Sequence, residues 1–462
     1  MATVKATVAV TVKTTVKVHA FVDEGLGHSS YLVELGDGSA LLVDPPRFPV
    51  AQEQLAGRLG LRLAWTVDTH SHADYVTGSP DLVRRRRLVF LAPAASGLSS
   101  PHRPLADGDR VELAPGTELV AIATPGHTPD HHAYLLTEDG SPVALFSGGS
   151  LMVGAVGRTD LCGPDRAAPL AHEMFRGLRR FDALPDELAV YPTHGAGSFC
   201  SAPGSADRTS TLGTERQTNA LFQLADEDEF VTQLLSGFGT FPTYFARLPE
   251  LNRLGPAPYD ALPELGELTP DDVEASVAAG AVVVDGRTIE RFAAGHVPGS
   301  ISNELRPVFA TWVGWLVEPR QPIVFVLDDD QPRDEAVRQC LDVGYEHLAG
   351  VLVGGIEGWQ ASGREIRRIE LVAPTEVRAR LVDVRQANEF ATGHVPGAVN
   401  VELGAIAGAA LEPGPMTVMC GHGERAMTGA SLLATRGYDV DVLHGGPDTW
   451  STATGTPLQT GG

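Results

Sequence analysis

The sequence predicts a multi-domain α/β protein, with a β-rich sandwich first and two small parallel α/β units after it. Three observations carry that prediction. Val284-Asp285-Gly286-Arg287, followed by Gly295-His296-Val297-Pro298-Gly299-Ser300, returns as Val382-Asp383-Val384-Arg385 and Gly393-His394-Val395-Pro396-Gly397-Ala398. Roughly residues 1–250 have another texture: many short strands, Gly-rich turns and histidines on loops. Between the two lies a Pro/Gly-rich stretch from Leu254 to Pro263 that reads as a linker. Domain limits of 1–258, 266–368 and 370–462 follow.

In chain order, Met1 to Val18 alternates Val/Ala with Thr/Lys, which is strand-like and lacks the continuous apolar run of a signal peptide. Ser30-Tyr31-Leu32-Val33 and Ala40-Leu41-Leu42-Val43-Asp44 read as a hairpin turning at Gly36-Asp37-Gly38. Ala64 to Asp68 reads as a buried strand running into Thr69-His70-Ser71-His72-Ala73-Asp74. Three later segments complete a set: Thr124-Pro125-Gly126-His127-Thr128, Phe146-Ser147-Gly148-Gly149-Ser150-Leu151, and Tyr191-Pro192-Thr193-His194-Gly195. Two imidazoles at i, i+2 beyond a strand end can converge on one ion, with the Asp74 carboxylate two residues on. His131, His132 and His194 are expected in hydrogen-bonded or structural roles rather than as ligands.

In the C-terminal half each copy alternates short β-branched runs with helical stretches, the pattern of a small parallel sheet. Gly354-Gly355-Ile356-Glu357-Gly358-Trp359 is echoed by Gly445-Gly446-Pro447-Asp448-Thr449-Trp450, and the segment near Arg367 to Pro374 joins the copies. The second copy places Cys420-Gly421-His422-Gly423-Glu424-Arg425 between an apolar strand and a helix-forming run. Backbone N–H groups converge at such a helix start and carry partial positive charge. They and Arg425 favour a thiolate at Cys420, and the polar neighbours argue against deep burial. Counting back from Gly344-Tyr345 and Gly437-Tyr438, Leu327 falls where Cys420 sits. That loop, Leu327-Asp328-Asp329-Asp330-Gln331-Pro332, has no thiol and three carboxylates that repel an anionic persulfide. The first copy is therefore expected to be non-catalytic, with a packing or docking role, and Cys340 to be core.

The Cys420 loop resembles the active-site loop of rhodanese sulfurtransferases, and the repeated Asp-x-Arg and Gly-His-Val-Pro-Gly segments resemble the other rhodanese signatures. The resemblance implies a Cys420 persulfide that accepts and donates sulfane sulfur. Gly421, His422, Gly423 and Glu424 would cradle the sulfur, and Arg425 would add charge. A low-molecular-weight thiol persulfide or thiosulfate is the implied donor and a thiol or cyanide the acceptor.

The histidine set resembles the metallo-β-lactamase superfamily, an αββα sandwich, and the whole chain resembles the persulfide dioxygenase–rhodanese fusion proteins. Val43-Asp44-Pro45-Pro46-Arg47, Gly157-Arg158-Thr159-Asp160 and Phe241-Pro242-Thr243 fit that group in order. The resemblance implies one non-haem iron held by His70, by His127 and by an Asp. Gly149 stands at the Asp position, and Tyr75 argues for one metal at most. Three outcomes are open: a zinc-suited site of His70, His72 and His127; an Fe(II) site with Asp74 as substitute carboxylate; or no metal. Arg158 is implied as receiver of a substrate carboxylate, the alternative being an ion pair with Asp160.

Composition narrows the partners. The net charge of −23 argues against a nucleic-acid or anionic-membrane partner, since both need a basic surface. The four cysteines, Cys162, Cys200, Cys340 and Cys420, form no CxxC pair and suggest a reducing compartment, so a cytoplasmic protein is expected. An oligomer is expected as well.

Overall fold

The computed structural model describes residues 15–200, 207–377 and 380–461. The strand expected from Met1 to Val18 lies outside the described residues up to residue 14; a strand is present from Lys17. The chain divides into two compact units, residues 1–261 with 341–344 and residues 262–340 with 345–462.

Two six-stranded sheets build the first unit. One runs in chain order through β1 (Lys17–Asp23), β2 (His28–Glu34), β3 (Ser39–Val43), β4 (Arg62–Val67), β5 (Val89–Pro93) and β6 (Arg103–Leu105). Its β2–β3 hairpin turns as expected, with Gly36 and Gly38 both at φ 84° and the Asp37 carboxylate accepting the Ser39 N–H at 2.8 Å. The other contains β7 (Arg110–Ala114), β8 (Thr117–Ala123), β9 (His132–Glu138) and β10 (Ser141–Gly148), which precede a short ribbon of β11 (Leu151–Met152) and β12 (Ala155–Val156). It is completed by β13 (Ala189–Pro192) and β14 (Ser210–Thr211), in the order β14-β13-β10-β9-β8-β7.

Strand periodicity sorts the side chains into layers. Tyr31, Val33, Leu41 and Val43 meet Leu119, Ala121, Tyr134 and Phe146 between the sheets. The intervening Leu32, Ala40 and Leu42 face outward onto Ala56 and Leu82, from the helices Val50–Leu59 and Ser79–Arg86. On the opposite face, Val120, Ala133, Leu135 and Leu145 pack on Ala171, Met174 and Leu178 of the helix Pro164–Arg179. The result is the expected four-layer α/β/β/α sandwich. The ends of β4, β8, β10 and β13 each feed a histidine- or glycine-bearing loop: His70 and His72, His127, Gly149, and His194.

The second unit holds two five-stranded sheets of one design. The first uses β15 (Glu267–Leu268), β16 (Val282–Asp285), β17 (Ile301–Ser302), β18 (Ile323–Val326) and β19 (Leu348–Leu352), in the order β15-β19-β18-β16-β17. The second uses β20 (Leu371–Val372), β21 (Leu381–Asp383), β22 (Val399–Asn400), β23 (Met416–Met419) and β24 (Val440–Leu443), in the order β20-β24-β23-β21-β22. Every neighbouring pair is parallel. The repeated Asp-x-Arg is a buried clamp in both copies. Arg287 Nη2 reaches Asp285 at 2.6 Å and the Gly295 carbonyl at 2.8 Å; Arg385 repeats this with Asp383 at 2.7 Å and Gly393 at 2.8 Å. Leu327 follows β18 as Cys420 follows β23, so the ungapped count holds in space. Cys340 is fully buried, in the helix Arg333–Asp342.

Candidate functional site

Asp44, at the end of β3, organises the metal-type site. Its carboxylate accepts the Thr69 N–H at 2.7 Å, the Thr69 hydroxyl at 2.8 Å and the Thr193 hydroxyl, and lies 3.3 Å from His72 Nε2. One buried anion thereby fixes both the His70–His72 loop and the His194 loop. Burial pushes the Asp44 carboxyl up, but His72 and the hydroxyl donors outweigh it and hold the group below its usual range.

The hydrogen bonds assign tautomers. Thr69 Oγ1 donates to Asp44, so it accepts from His70 Nδ1 at 2.8 Å and leaves a lone pair on His70 Nε2. His127 Nδ1 lies 2.8 Å from the Arg158 carbonyl, which only accepts, so His127 Nε2 also carries a lone pair; that atom is buried without a partner. His194 Nδ1 lies 3.3 Å from Asp74 Oδ2, and its Nε2 points at His70 Nε2, 3.2 Å away. Burial first, and neighbouring histidines second, hold His70 well below the usual imidazole range. The same causes, burial foremost, bring His127 to about 3. These rings are therefore neutral.

Ligand-type atoms of His70, His127 and His194 lie within 4.8 Å of one another, as do those of His72, Asp74 and His194, and those of Asp44, Asp68 and His72. Buried imidazole nitrogens converging on one point, with His127 Nε2 left without a partner, are what a divalent ion requires. The residues present fit a metal site.

The grouping differs from the sequence expectation. His72 does not join His70 and His127: its Nε2 is held by Tyr75 Oη at 3.0 Å and by Asp44. Burial works against a charged His72, but the Asp44 carboxylate prevails and raises it. His194, expected to be structural, stands with His70 and His127 instead. His131 does take the hydrogen-bonded role, accepting the Gly149 N–H at 2.8 Å and pairing with Thr124 Oγ1 at 2.8 Å. Gly149 is packed rather than vacant, since a Cβ there would fall 2.4 Å from the His127 ring.

Arg158 is 3% exposed and commits four of its five N–H donors: two to Asp160 at 2.7 and 2.8 Å, one to the Phe199 carbonyl at 3.0 Å and one to the Gly239 carbonyl at 2.8 Å. This corrects the expectation of a substrate-carboxylate receiver. Its guanidinium makes the alternative ion pair, and its carbonyl sets the His127 tautomer.

In the second unit, Cys420 Sγ accepts the Gly423 N–H at 3.1 Å, at the start of the helix Glu424–Thr435. One expectation needs correction. Cys420 is 1% exposed, because the Gly446 backbone closes over the loop; a Cβ on Gly446 would lie 2.1 Å from the Gly421 carbonyl oxygen. Arg425 is clasped bidentately by Glu389 at 2.7 and 2.8 Å. His422 is exposed, and Gly421 and Glu424 are half-buried. In the first copy Leu327 is buried and Asp328 pairs with Arg291.

The metallo-beta-lactamase superfamily matches residues 23–194, and the rhodanese-like domain matches residues 269–362 and again 370–453. A mitochondrial persulfide dioxygenase of Homo sapiens is 33% identical over 198 residues, which cover 42% of this chain and 69% of that protein. The chain belongs to the metallo-beta-lactamase superfamily. Two rhodanese-like domains follow its superfamily domain in the same polypeptide. A hydroxyacylglutathione hydrolase of Saccharophagus degradans is 34% identical over 34% of this chain, and the chain spans 56% of that relative's length. A metallo-beta-lactamase structure from Staphylococcus aureus subsp. aureus COL superposes with a TM-score of 0.67 at 27% identity, covering 73% of this chain and 99% of that one. Among the described residues, no helix is long and apolar enough to cross a membrane.

Proposed function

We propose that this chain is a cytoplasmic sulfur-metabolism enzyme that transfers sulfane sulfur through a Cys420 persulfide. One observation carries the reading: Cys420 Sγ sits at the end of β23 with the Gly423 N–H 3.1 Å away, at the N-terminus of a twelve-residue helix. Amides and the helix dipole there favour negative charge on sulfur.

The Cys420 thiolate attacks the outer sulfur of a low-molecular-weight persulfide or thiosulfate. The donor S–S bond breaks, the donor leaves as thiolate or sulfite, and a Cys420–S–S⁻ persulfide forms. An acceptor thiolate or cyanide then attacks the outer sulfur and Cys420 Sγ departs with the electron pair, so no external oxidant is consumed. Arg425, held by Glu389, lines the loop as a partly neutralised cation. The first copy, with Leu327 in place of a thiol, is non-catalytic in this reading and has a packing or docking role.

The test is sulfur transfer from thiosulfate or glutathione persulfide to cyanide, with mass analysis of the protein. Wild type should gain one sulfur atom on Cys420, and Cys420→Ser should lose turnover about a thousandfold. Unchanged turnover in that variant refutes the reading.

A second reading, a bifunctional iron-dependent persulfide dioxygenase and sulfurtransferase, is favoured by the similarity to the persulfide dioxygenase of Homo sapiens. A bound dication would supply a Lewis-acidic open position at the histidine cluster. Oxygen uptake with glutathione persulfide by iron-loaded protein supports this reading, and its absence leaves the transferase alone.

A further inference from the structure

We propose that His194 takes the place of the carboxylate missing at residue 149, so that His70, His127 and His194 form a three-imidazole centre suited to a tetrahedral, zinc-type ion. The ring geometry carries this. The centroids of His70, His127 and His194 stand 5.0, 5.1 and 5.3 Å apart, a nearly equilateral triangle. Three imidazoles bound through Nε2 to a tetrahedral ion at about 2.0–2.1 Å should have centroids about 5.2 Å apart. The facial positions of an octahedral ion would bring them to about 4.5 Å.

His72 breaks that symmetry, at 4.3 Å from His70 and 6.4 Å from His194. The tautomers agree with the triangle. His70 and His127 spend their Nδ1 protons on Thr69 and on the Arg158 carbonyl, and Asp74 Oδ2 faces His194 Nδ1. The Nε2 lone pairs of His70 and His127 then point inward. His194 Nε2 lies 3.2 Å from His70 Nε2, at hydrogen-bond distance, and a bound cation would replace the proton between them. Asp74 is a positioning residue here, holding the His194 ring through Nδ1.

The change at 149 is self-consistent. The space a Cβ would need is filled by the His127 ring, 2.4 Å from the ideal Cβ position, and Gly157 closes the ring's other atoms, with a Cβ there 2.8 Å from His127 Nδ1. Three neutral donors leave the ion's charge uncompensated, so the open fourth position takes an anion: hydroxide or a thiolate-class ligand.

Co(II) titration of metal-free full-length protein tests this independently of sulfur transfer, because the readout is absorption and Cys420→Ser should leave it unchanged. Wild type should bind one equivalent, develop the intense visible bands of four-coordinate Co(II), and lose them on adding Zn(II). His194→Gln should abolish the bands with native circular dichroism. Asp74→Asn should keep them and weaken binding by about 10- to 100-fold. Gly149→Asp should not strengthen binding. The proposal is overturned if His194→Gln, folded, binds as wild type does, if wild type gives only the pale six-coordinate spectrum, or if it binds no Co(II). Loss of the bands in His72→Ala together with their retention in His194→Gln overturns it equally.

Discussion

At the residue scale, the proposed sulfur transfer rests on a single thiol and its neighbours. Arg425 and Cys420 are five positions apart in the chain, yet the charge Arg425 lends is set by Glu389, thirty-six positions away. Removing that carboxylate leaves the guanidinium unshared within the loop that carries the sulfur, where its charge is no longer shielded by Glu389. Glu389→Gln should therefore speed iodoacetamide alkylation of Cys420 at neutral pH by about two- to threefold; slower or equal alkylation would show that the pair only holds the loop. The motif around Cys420 was legible because strand, glycines and helix start are consecutive. The Glu389 pairing and the near-complete burial were not, because both depend on segments that fold over the loop.

At the element scale, close backbone approaches position both sites. The turn before the last helix, at Gly446, lies against the loop carrying Cys420, and a Cβ would meet the Gly421 carbonyl oxygen at 2.1 Å. Backbone cannot yield as a side chain can, so Gly446→Ala should displace the loop. We expect sulfur transfer to fall at least about tenfold while Co(II) binding by the first unit is unchanged. In that unit, a Cβ at Gly157 would meet the Gly149 carbonyl oxygen at 2.2 Å. Gly157→Ala should destabilise the sandwich by about 1–3 kcal/mol in urea unfolding and weaken metal binding with it. The strand pattern of the sandwich and the repeat of the parallel sheets were readable from hydrophobic periodicity and repeated signatures. The grouping of His194 with His70 and His127 was not: it lies more than a hundred residues from His70, and only the ends of β4, β8 and β13 bring the rings together.

At the scale of the whole molecule, a buried histidine of the second unit ties stability to pH. In the second unit His296 is 4% exposed, stacks on Phe292 at 3.9 Å and binds the Phe292 carbonyl; burial foremost brings it down to about 4. The unfolded chain takes up that proton near the ordinary imidazole value of about 6.5, the folded chain only near 4. The contribution is therefore complete above about pH 6.5 and is lost as pH falls toward 4, on the order of 3 kcal/mol in all. Thermal unfolding followed from pH 7.5 to 4.5 should fall less steeply for His296→Gln than for wild type; parallel curves would remove His296 from the acid sensitivity.

The sequence by itself determined the layered order of sandwich and twin parallel sheets, because strand periodicity and a repeat are written in neighbouring residues. Tertiary structure alone decided which imidazoles face one another, which proton each carries, and which anion neutralises Arg425. Those outcomes depend on distances between strand ends far apart in the chain, set by packed sheets and not by local pattern.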